Sequence, residues 1–432
     1  MKITITAVGS RGDVQPHVAL GCGLAQAGHQ VRLAADGMFQ ALVRENRLDF
    51  APIEADPVTP MQEDLSKLGN NPVKIARWMA KAVENIGDDY FQSYLDANQG
   101  ADLMICSSVA AMAGIHIAAK FNLPLIATAL QPTVKTSAYP YSAGMVFPEW
   151  LPFLGAVNRQ SYVSAIRAFY RMFYKIINRN RESLLGLPAL PWKFYRDIDL
   201  SAYPILHGFS RHVIPFPADY NENQIFTGYW FLDEEGWQPP EELSNFLVAG
   251  SPPVYIGFGS VLDLQTGALT GIVLDALGIC GQRAVVLGGW TDLGGDDLPE
   301  SVLKLDSVPH SYLFPRVSAV VHHGGAGTTG AGLRAGKPTV IVPYSSDQPF
   351  WGWRVEKLGA GPKPIPRLKL TAEKLAAAIT EAVTSQKIQT RAAELGERIR
   401  AEDGVGNAVR AVEEIMATRR DRIMPDARLS GE

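Results

Sequence analysis

The stretch "HHGGAGTTG" (322–330) follows the apolar run "VSAVV" and precedes "AGLRAGKP", so two histidines end a strand and glycines turn it into a helix. Glycines there let backbone N–H groups close on an anion, and a helix N-terminus favours negative charge. His323 adds an imidazole N–H beside the turn formed by Gly325, Ala326, Gly327 and Thr328. Gly325, Gly327 and Gly330 also match G-x-G-x-x-G, so an NAD-dependent oxidoreductase or an NAD-binding protein is an alternative of a different class. The imidazoles and the motif's place in the second half of the chain favour a diphosphate leaving group instead. Zinc held by His310, His322 and His323 fits less well, because adjacent strand residues point to opposite faces and no cysteine or carboxylate has ligand spacing. Some twenty residues on, in "VPYSSDQPFWGWRV", Asp347 and Gln348 offer a charged acceptor and an amide that can donate and accept. Several sugar hydroxyls would suit that pair, and an ordinary loop cap is the plainer explanation.

These groups need strands to bring them to one edge. "ITITAV" reads as a buried strand, "GSRGD" as a turn, "VQPHVALGCGLAQAG" as a helix closing at Gly28, and "HQVRLAA" as the next strand. "ADLMICSS", the helix through "AAMAGIHIAAKF" and "PLIATAL" repeat the cycle. A second series starts at "PPVYIGFGS" and runs through a helix near 267–280 to "RAVVLGG", "SAVVHHGG" and "PTVIVPY". Alternation of this kind predicts an α/β protein of two Rossmann-like, doubly wound domains facing a central cleft. In such sheets ligands bind beyond the carboxyl ends of the strands. We expect an N-terminal domain over 1–235 and, around two Pro-Pro pairs, an interdomain linker over 236–252. The second domain follows over 253–405, and a helix and tail over 406–432 pack back toward the first.

At 432 residues the chain is too long for one ordinary core. A net charge of −4 excludes a global electrostatic grip on nucleic acid. Three scattered cysteines, Cys22, Cys106 and Cys280, form no Cys-x-x-Cys pair and read as thiols of a reduced compartment. No run approaches the roughly 18 apolar residues of a spanning helix. The opening "MKITITAVGSRGD" has no signal-peptide chemistry, so the expected location is cytoplasmic. Residues 158–181 carry Arg159, Arg167, Arg171, Lys175, Arg179 and Arg181 with no acid, beside a stripe of Val163, Ile166, Phe169, Phe173 and Ile177. Such a helix either lies on an anionic membrane, here the inner surface, or packs on a core with a solvated basic face.

Together, "GSRGDVQPHVALG", "TGYWFLD", "GFGSV", "VPHSYLFPRVSAVVHHGGAGTTGAGLRAGKPTVIVPYSSDQPFWGWRVEKLGAGPKPIP" and "GVGNAVRAV" carry a family likeness over nearly the whole chain. The sequence resembles GT-B glycosyltransferases of the UDP-glycosyltransferase superfamily. Within it, the chain is most similar to sterol and lipid glucosyltransferases and to bacterial antibiotic glycosyltransferases. The resemblance implies inverting transfer of a hexose, glucose from UDP-glucose, to a hydroxyl of a lipophilic acceptor such as a sterol. A dTDP- or UDP-sugar transferase acting on a polyketide, peptide or other natural product is the rival within the family. No cofactor or metal is implied beyond the nucleotide-sugar co-substrate.

The same likeness places His323 and the Gly325–Thr328 turn on the donor diphosphate, with Ser260 approaching from the neighbouring strand. It puts Asp347 and Gln348 on the sugar, the segment Val308 to His310 at the base, and Arg11 and Gly12 with the donor-binding group. Plant members carry a Trp where Ser307 stands and a ribose-binding Glu where Ala331 stands, so UDP and dTDP both stay open. Aligning the family's His-x-x-Pro with "GDVQP" makes Asp13 the general base, with His17 one helical turn later as a possible assistant. Asp13 ahead of Pro16 also reads as a helix N-cap, a setting that would depress its pKa. "VKTSAYPYSAGMVFPEWLPFLG" is rich enough in aromatics and prolines to wall an apolar acceptor pocket.

Overall fold

The computed structural model describes residues 1–54, 87–234, 236–259, 266–287 and 298–418. The first domain holds β1 (Lys2–Thr6), β2 (Gln30–Ala35), β3 (Asp49–Pro52), β4 (Leu103–Ser107), β5 (Leu125–Ala129), β6 (Ile205–His207) and β7 (Gln224–Phe226). They form one parallel sheet in the order β3-β2-β1-β4-β5-β6-β7. The second domain holds β8 (Val254–Gly257), β9 (Ala284–Leu287), β10 (Val302–Leu305), β11 (Ala319–His322) and β12 (Thr339–Ile341), ordered β10-β9-β8-β11-β12 and also parallel. Continuous apolar runs such as "LMICS" and "AVVH" are buried along their whole length, as strands covered on both faces must be.

The strand order reverses between β1 and β4 and again between β8 and β11, and crevices for ligands open at such points. The turn after β1 leads into α1 (Arg11–Gln26), and the turn after β11 leads into the helix Ala326–Arg334. Those two turns face each other across the cleft. An apolar cluster fixes the domains, with Phe209, Val213, Ile214 and Tyr229 of the first packed with Phe350, Trp351 and Val355 of the second. Arg334 adds a two-bond ion pair to Asp233 (2.7 and 2.6 Å) and lies 4.4 Å above the Phe231 ring.

Two expectations change at this level, and one left open is decided. The segment 236–252 is more than a linker, because Glu241–Val248 is a helix whose Leu243 is buried with Tyr255, Val285 and Leu303 of the second domain. The helix Gly404–Thr418 lays Ala408, Val409, Val412 and Ile415 against Ile5, Val14 and Val18 of the first domain, so it starts two residues before the expected boundary. The tail beyond it, 419–432, lies outside the described residues. Finally, 158–181 belongs to a longer helix, Leu154–Ser183, whose Ile166, Phe169, Phe173 and Ile177 pack into the first domain's core. Arg181 is fully buried and donates to the Pro188 carbonyl (2.8 Å), while Arg159 pairs with Asp219 and Arg179 with Asp88. Of the two readings of this stripe, packing on the protein's own core holds for Ile166, Phe169, Phe173 and Ile177. No helix among the described residues is long and apolar enough to cross a membrane.

Candidate functional site

One cleft of about 2300 Å³ lies between the domains, lined by Arg11, Gly12 and Asp13 on one wall and by Val308, His310, His323, Gly325–Thr328, Asp347 and Gln348 on the other. It exceeds the several hundred cubic ångströms of a typical small-molecule pocket and has room for two substrates. Ser260 lies outside the described residues. Its neighbour Gly259 lines the cleft beside His323.

Asp13 is not the N-cap of α1. Ser10 caps the helix and Asp13 sits at its third residue, reaching back so that Oδ2 accepts from the Ser10 N–H (2.8 Å) and the Ser10 hydroxyl (2.9 Å). This is the capping-box arrangement, with Asp in the place more often taken by Glu or Gln. Gly9 makes it possible: its φ of 135° belongs to glycine, and a Cβ there would come within 2.4 Å of the carboxylate. Oδ1 has no protein partner among the described residues. Burial raises the Asp13 pKa, and the two Ser10 bonds, which lower it, do not cancel that rise. The expected depression by capping is thus reversed, and the carboxylate is a stronger base than an exposed one.

His17 follows one turn later on α1, yet its ring points into the domain and is fully buried. Nδ1 lies 2.6 Å from the Asp13 carbonyl and Nε2 lies 2.7 Å from the Thr128 hydroxyl. A carbonyl only accepts, so Nδ1 carries the proton, and Nε2 shares the single Thr128 hydroxyl proton with the Cys106 carbonyl, which that hydroxyl also reaches at 3.1 Å. Burial lowers its pKa to about 4, and Trp230 closes one edge at 5.7 Å. With both nitrogens engaged away from the cleft, His17 holds α1 on β5 and has no lone pair to offer an acceptor.

On the facing wall, His322 and His323 diverge as neighbours at a strand end should. His322 is fully buried and accepts from the Gly324 N–H at 3.0 Å. His323 lines the cleft, neutral because burial lowers its pKa to about 4. Its Nε2 lies over the turn, where a Cβ on Gly325 would approach to 2.6 Å. Gly325 begins the helix Ala326–Arg334 with no side-chain cap, so the first N–H groups stay open to an anion. Among the described residues no three His, Cys, Asp or Glu side chains are grouped as a metal site. The glycine pattern follows β11 rather than the leading strand β8, and Gly330 is spent on the Tyr229 ring, where a Cβ would come within 2.7 Å. Neither feature suits the first turn of a dinucleotide fold.

Asp347 and Gln348 open the helix Gln348–Leu358. Asp347 Oδ2 accepts from Trp351 Nε1 (2.8 Å), and burial, with help from the Asp13 charge, raises its pKa to about 6. Gln348 Oε1 accepts from the backbone of Tyr344 (2.7 Å) and Ser345 (3.2 Å), so only its NH2 is free to donate. The expected dual role narrows to that of a donor. His310 stacks on Phe314 (4.2 Å), and burial first, then Arg11 and His323, lower its pKa to about 4. Its ring is part of the wall. Arg11 is exposed and lies 3.6 Å from Glu234 at the cleft rim.

Sequence reasoning did not single out Ser10, Thr128 or Trp351. A signal existed for Ser10 in the S-x-x-D spacing and for Trp351 in its place four residues after Asp347, whereas Thr128 meets His17 only through the sheet.

Two Rossmann-like parallel-sheet domains facing one cleft, with an uncapped helix N-terminus on one wall and the half-buried Asp13 on the other, have the GT-B architecture. Models of known families agree on each half: residues 3–140 match the glycosyltransferase family 28 N-terminal domain, and 274–415 match the erythromycin biosynthesis protein CIII-like C-terminal domain. The chain thus has the GT-B fold, with glycosyltransferase-type domain matches in both halves. It is 38% identical over 425 residues to a sterol 3-beta-glucosyltransferase of Aspergillus fumigatus and 38% over 432 residues to one of Penicillium rubens. Each alignment covers 95% of this chain and 30% of the relative, so the chain spans about a third of those proteins' length. Among solved structures, the glycotransferase of kitacinnamycin superposes with a TM-score of 0.70 at 21% identity, covering 96% of this chain and 98% of that one. CalG4, the calicheamicin glycosyltransferase, superposes with a TM-score of 0.69 at 17% identity, covering 97% and 98%. Both show the shared fold.

Proposed function

We propose that this protein is an inverting, metal-independent hexosyltransferase that moves glucose from UDP-glucose to a hydroxyl of a lipophilic acceptor such as a sterol. The observation that carries this reading is the cross-cleft opposition of the half-buried Asp13, whose Oδ1 has no partner among the described residues, and an uncapped helix N-terminus beside neutral His323. Asp13 takes the acceptor's hydroxyl proton as that oxygen attacks the anomeric carbon from the face opposite the diphosphate. The bond from carbon to diphosphate breaks, and the charge gathering on the phosphate oxygen meets the helix N–H groups and the His323 N–H. Asp347 and the Gln348 amide hold sugar hydroxyls, and Val308 to His310 border the base. The names of the fungal relatives support a sterol as acceptor.

A second reading, a dTDP-sugar transferase of a natural product, is favoured by Ser307 and Ala331 and by a structural neighbour solved with thymidine diphosphate. A thermal-shift panel with UDP, dTDP, UDP-glucose and NAD separates the readings, since a ligand of the native state raises apparent stability. Stabilisation by UDP species is expected. A shift with dTDP alone moves the assignment to the second reading, and one with NAD alone overturns both.

A further inference from the structure

The helix Gln348–Leu358, which opens with the residues placed on the donor sugar, is fastened to the first domain along its length. Phe350, Trp351 and Val355 share one apolar cluster with Phe209, Val213 and Ile214. The Phe350 ring meets Tyr139 edge-on at 6.0 Å, Arg354 Nε donates to the Val213 carbonyl, and Lys357 pairs with Glu149 at 2.7 Å. The helix that carries the sugar contacts is therefore also part of the joint between the domains.

Trp351 links the two roles. It is fully buried, so its indole N–H needs a protein acceptor. Asp347 Oδ2 accepts it at 2.8 Å. Residues four apart meet on one helix face, yet this is not the partner an N-cap carboxylate usually takes. Asp at an N-cap ordinarily accepts from the N–H of the second or third helical residue. Here the second is Pro349, which has no N–H, and the Asp347 side chain makes no cap bond. The carboxylate is turned along the helix to the indole instead. On its other side Ser346 holds a left-handed φ of 58°, a strain that persists only where the surroundings impose it. Gln348 Oε1 ties down that loop through the N–H groups of Tyr344 and Ser345.

We propose that Trp351 is a positioning residue for the donor sugar: its indole N–H sets the direction of the Asp347 carboxylate and passes the geometry of the domain joint to the sugar site. This role rests on the proposed function, in which Asp347 holds sugar hydroxyls. Nucleobase and diphosphate fall to the segments 308–310 and 325–328 and to His323, none of which hydrogen-bonds to the Trp351 side chain among the described residues. Loss of the indole bond frees the carboxylate to turn, and the sugar alone feels it. A buried indole that merely took the nearest acceptor would affect nucleotide and nucleotide sugar alike, or neither.

The test is calorimetry of the full chain with UDP and UDP-glucose, and with dTDP and dTDP-glucose, on wild type, Trp351→Phe and Val355→Ala. The first variant keeps a ring in the cluster and removes the N–H, while the second loosens the same cluster and leaves the bond. Trp351→Phe is expected to weaken the nucleotide sugar about tenfold, the order of one hydrogen bond to a charged group, with the free nucleotide unchanged. Val355→Ala is expected to keep the wild-type ratio of the two affinities. In the intact protein, the indole N–H resonance that titrates with Asp347 near pH 6 should move with the nucleotide sugar and not with the nucleotide, a readout that needs no variant to fold. An unchanged ratio in Trp351→Phe, an equal loss in Val355→Ala, or an indole resonance indifferent to the sugar overturns the role of Trp351 and leaves nucleotide-sugar binding standing. A wild type that binds none of these ligands removes the glycosyltransferase reading and this role with it.

Discussion

Ser10 gives both its backbone N–H and its hydroxyl to a single oxygen of Asp13, at 2.8 and 2.9 Å, and so divides that carboxylate into a structural oxygen and one without a protein partner among the described residues. The division resolves a conflict present in the sequence, where capping and proton abstraction compete for the same residue. Oδ2 closes the first turn of α1 while Oδ1 stays available, and burial keeps the pair of oxygens basic despite the two bonds.

Asp13→Asn keeps the shape and an acceptor for Ser10 but cannot take a proton. Turnover is expected to fall by about 10² to 10⁴, the range for a lost general base, with UDP binding by thermal shift unchanged. Full activity in this variant would remove Asp13 from the mechanism.

Ser10→Ala removes the hydroxyl bond and leaves the N–H. That bond lowers the Asp13 pKa, so its loss moves the acid limb of the kcat profile to higher pH. Stability should drop by about 1 kcal/mol, the usual cost of a lost N-cap. A stability loss with an unmoved pH profile would confine Ser10 to capping.

His17 provides the contrast. Thr128→Val leaves Nε2 of a buried imidazole without its partner, which costs about 1–3 kcal/mol in chemical denaturation. Because neither nitrogen faces the cleft, the shape of the pH–rate profile should stay as it is. A shift of that profile on substitution at Thr128 would put His17 back among the proton-transfer groups.

The strands around the site are legible in the sequence because both sheets are covered on each face, leaving apolar runs bounded by glycine turns. β1, β4, β8, β11 and β12 can be read in that way, and with them the positions of Asp13, His323 and Asp347. The short strands β6 and β7 and the half-polar β10, "VLKL", give no comparable pattern and owe their state to the neighbours they pair with. The direction of a side chain is legible only where strand alternation sets it, as at His322 and His323. His17 looks like a cleft residue on a helical wheel, and it turns inward because Thr128, over a hundred positions away, meets it across the sheet. The helix 154–183 shows the same limit, since its apolar stripe cannot declare whether a membrane or a core will cover it.

His323→Ala tests the anion site. A hydrogen bond to a charged group contributes about 1.5–3 kcal/mol, so UDP affinity by calorimetry should fall roughly 10- to 100-fold. A phosphate next to the ring favours imidazolium and raises its pKa from about 4, so UDP binding should take up a fraction of a proton below neutral pH. That uptake should vanish in the alanine variant. Unchanged affinity would leave the helix N-terminus as the sole anion contact.

Asp347 carries the opposite trade between function and stability. Its folded pKa of about 6 lies above the ordinary carboxylate value, so its contribution to stability is present in full below the unfolded value and is lost as pH rises through about 6. At pH 7 the buried anion therefore works against folding, in part through the Asp13 charge. Asp347→Asn removes that charge and keeps an oxygen for Trp351 Nε1. The variant should melt above the wild type at pH 7 to 8, by on the order of 1–2 kcal/mol in stability, and the gap should close by about pH 4. Sugar transfer should be lost at every pH if the carboxylate binds hydroxyls. A variant no more stable than wild type at pH 7 would mean that the native cleft already solvates this anion, and a fully active one would take Asp347 out of the donor site.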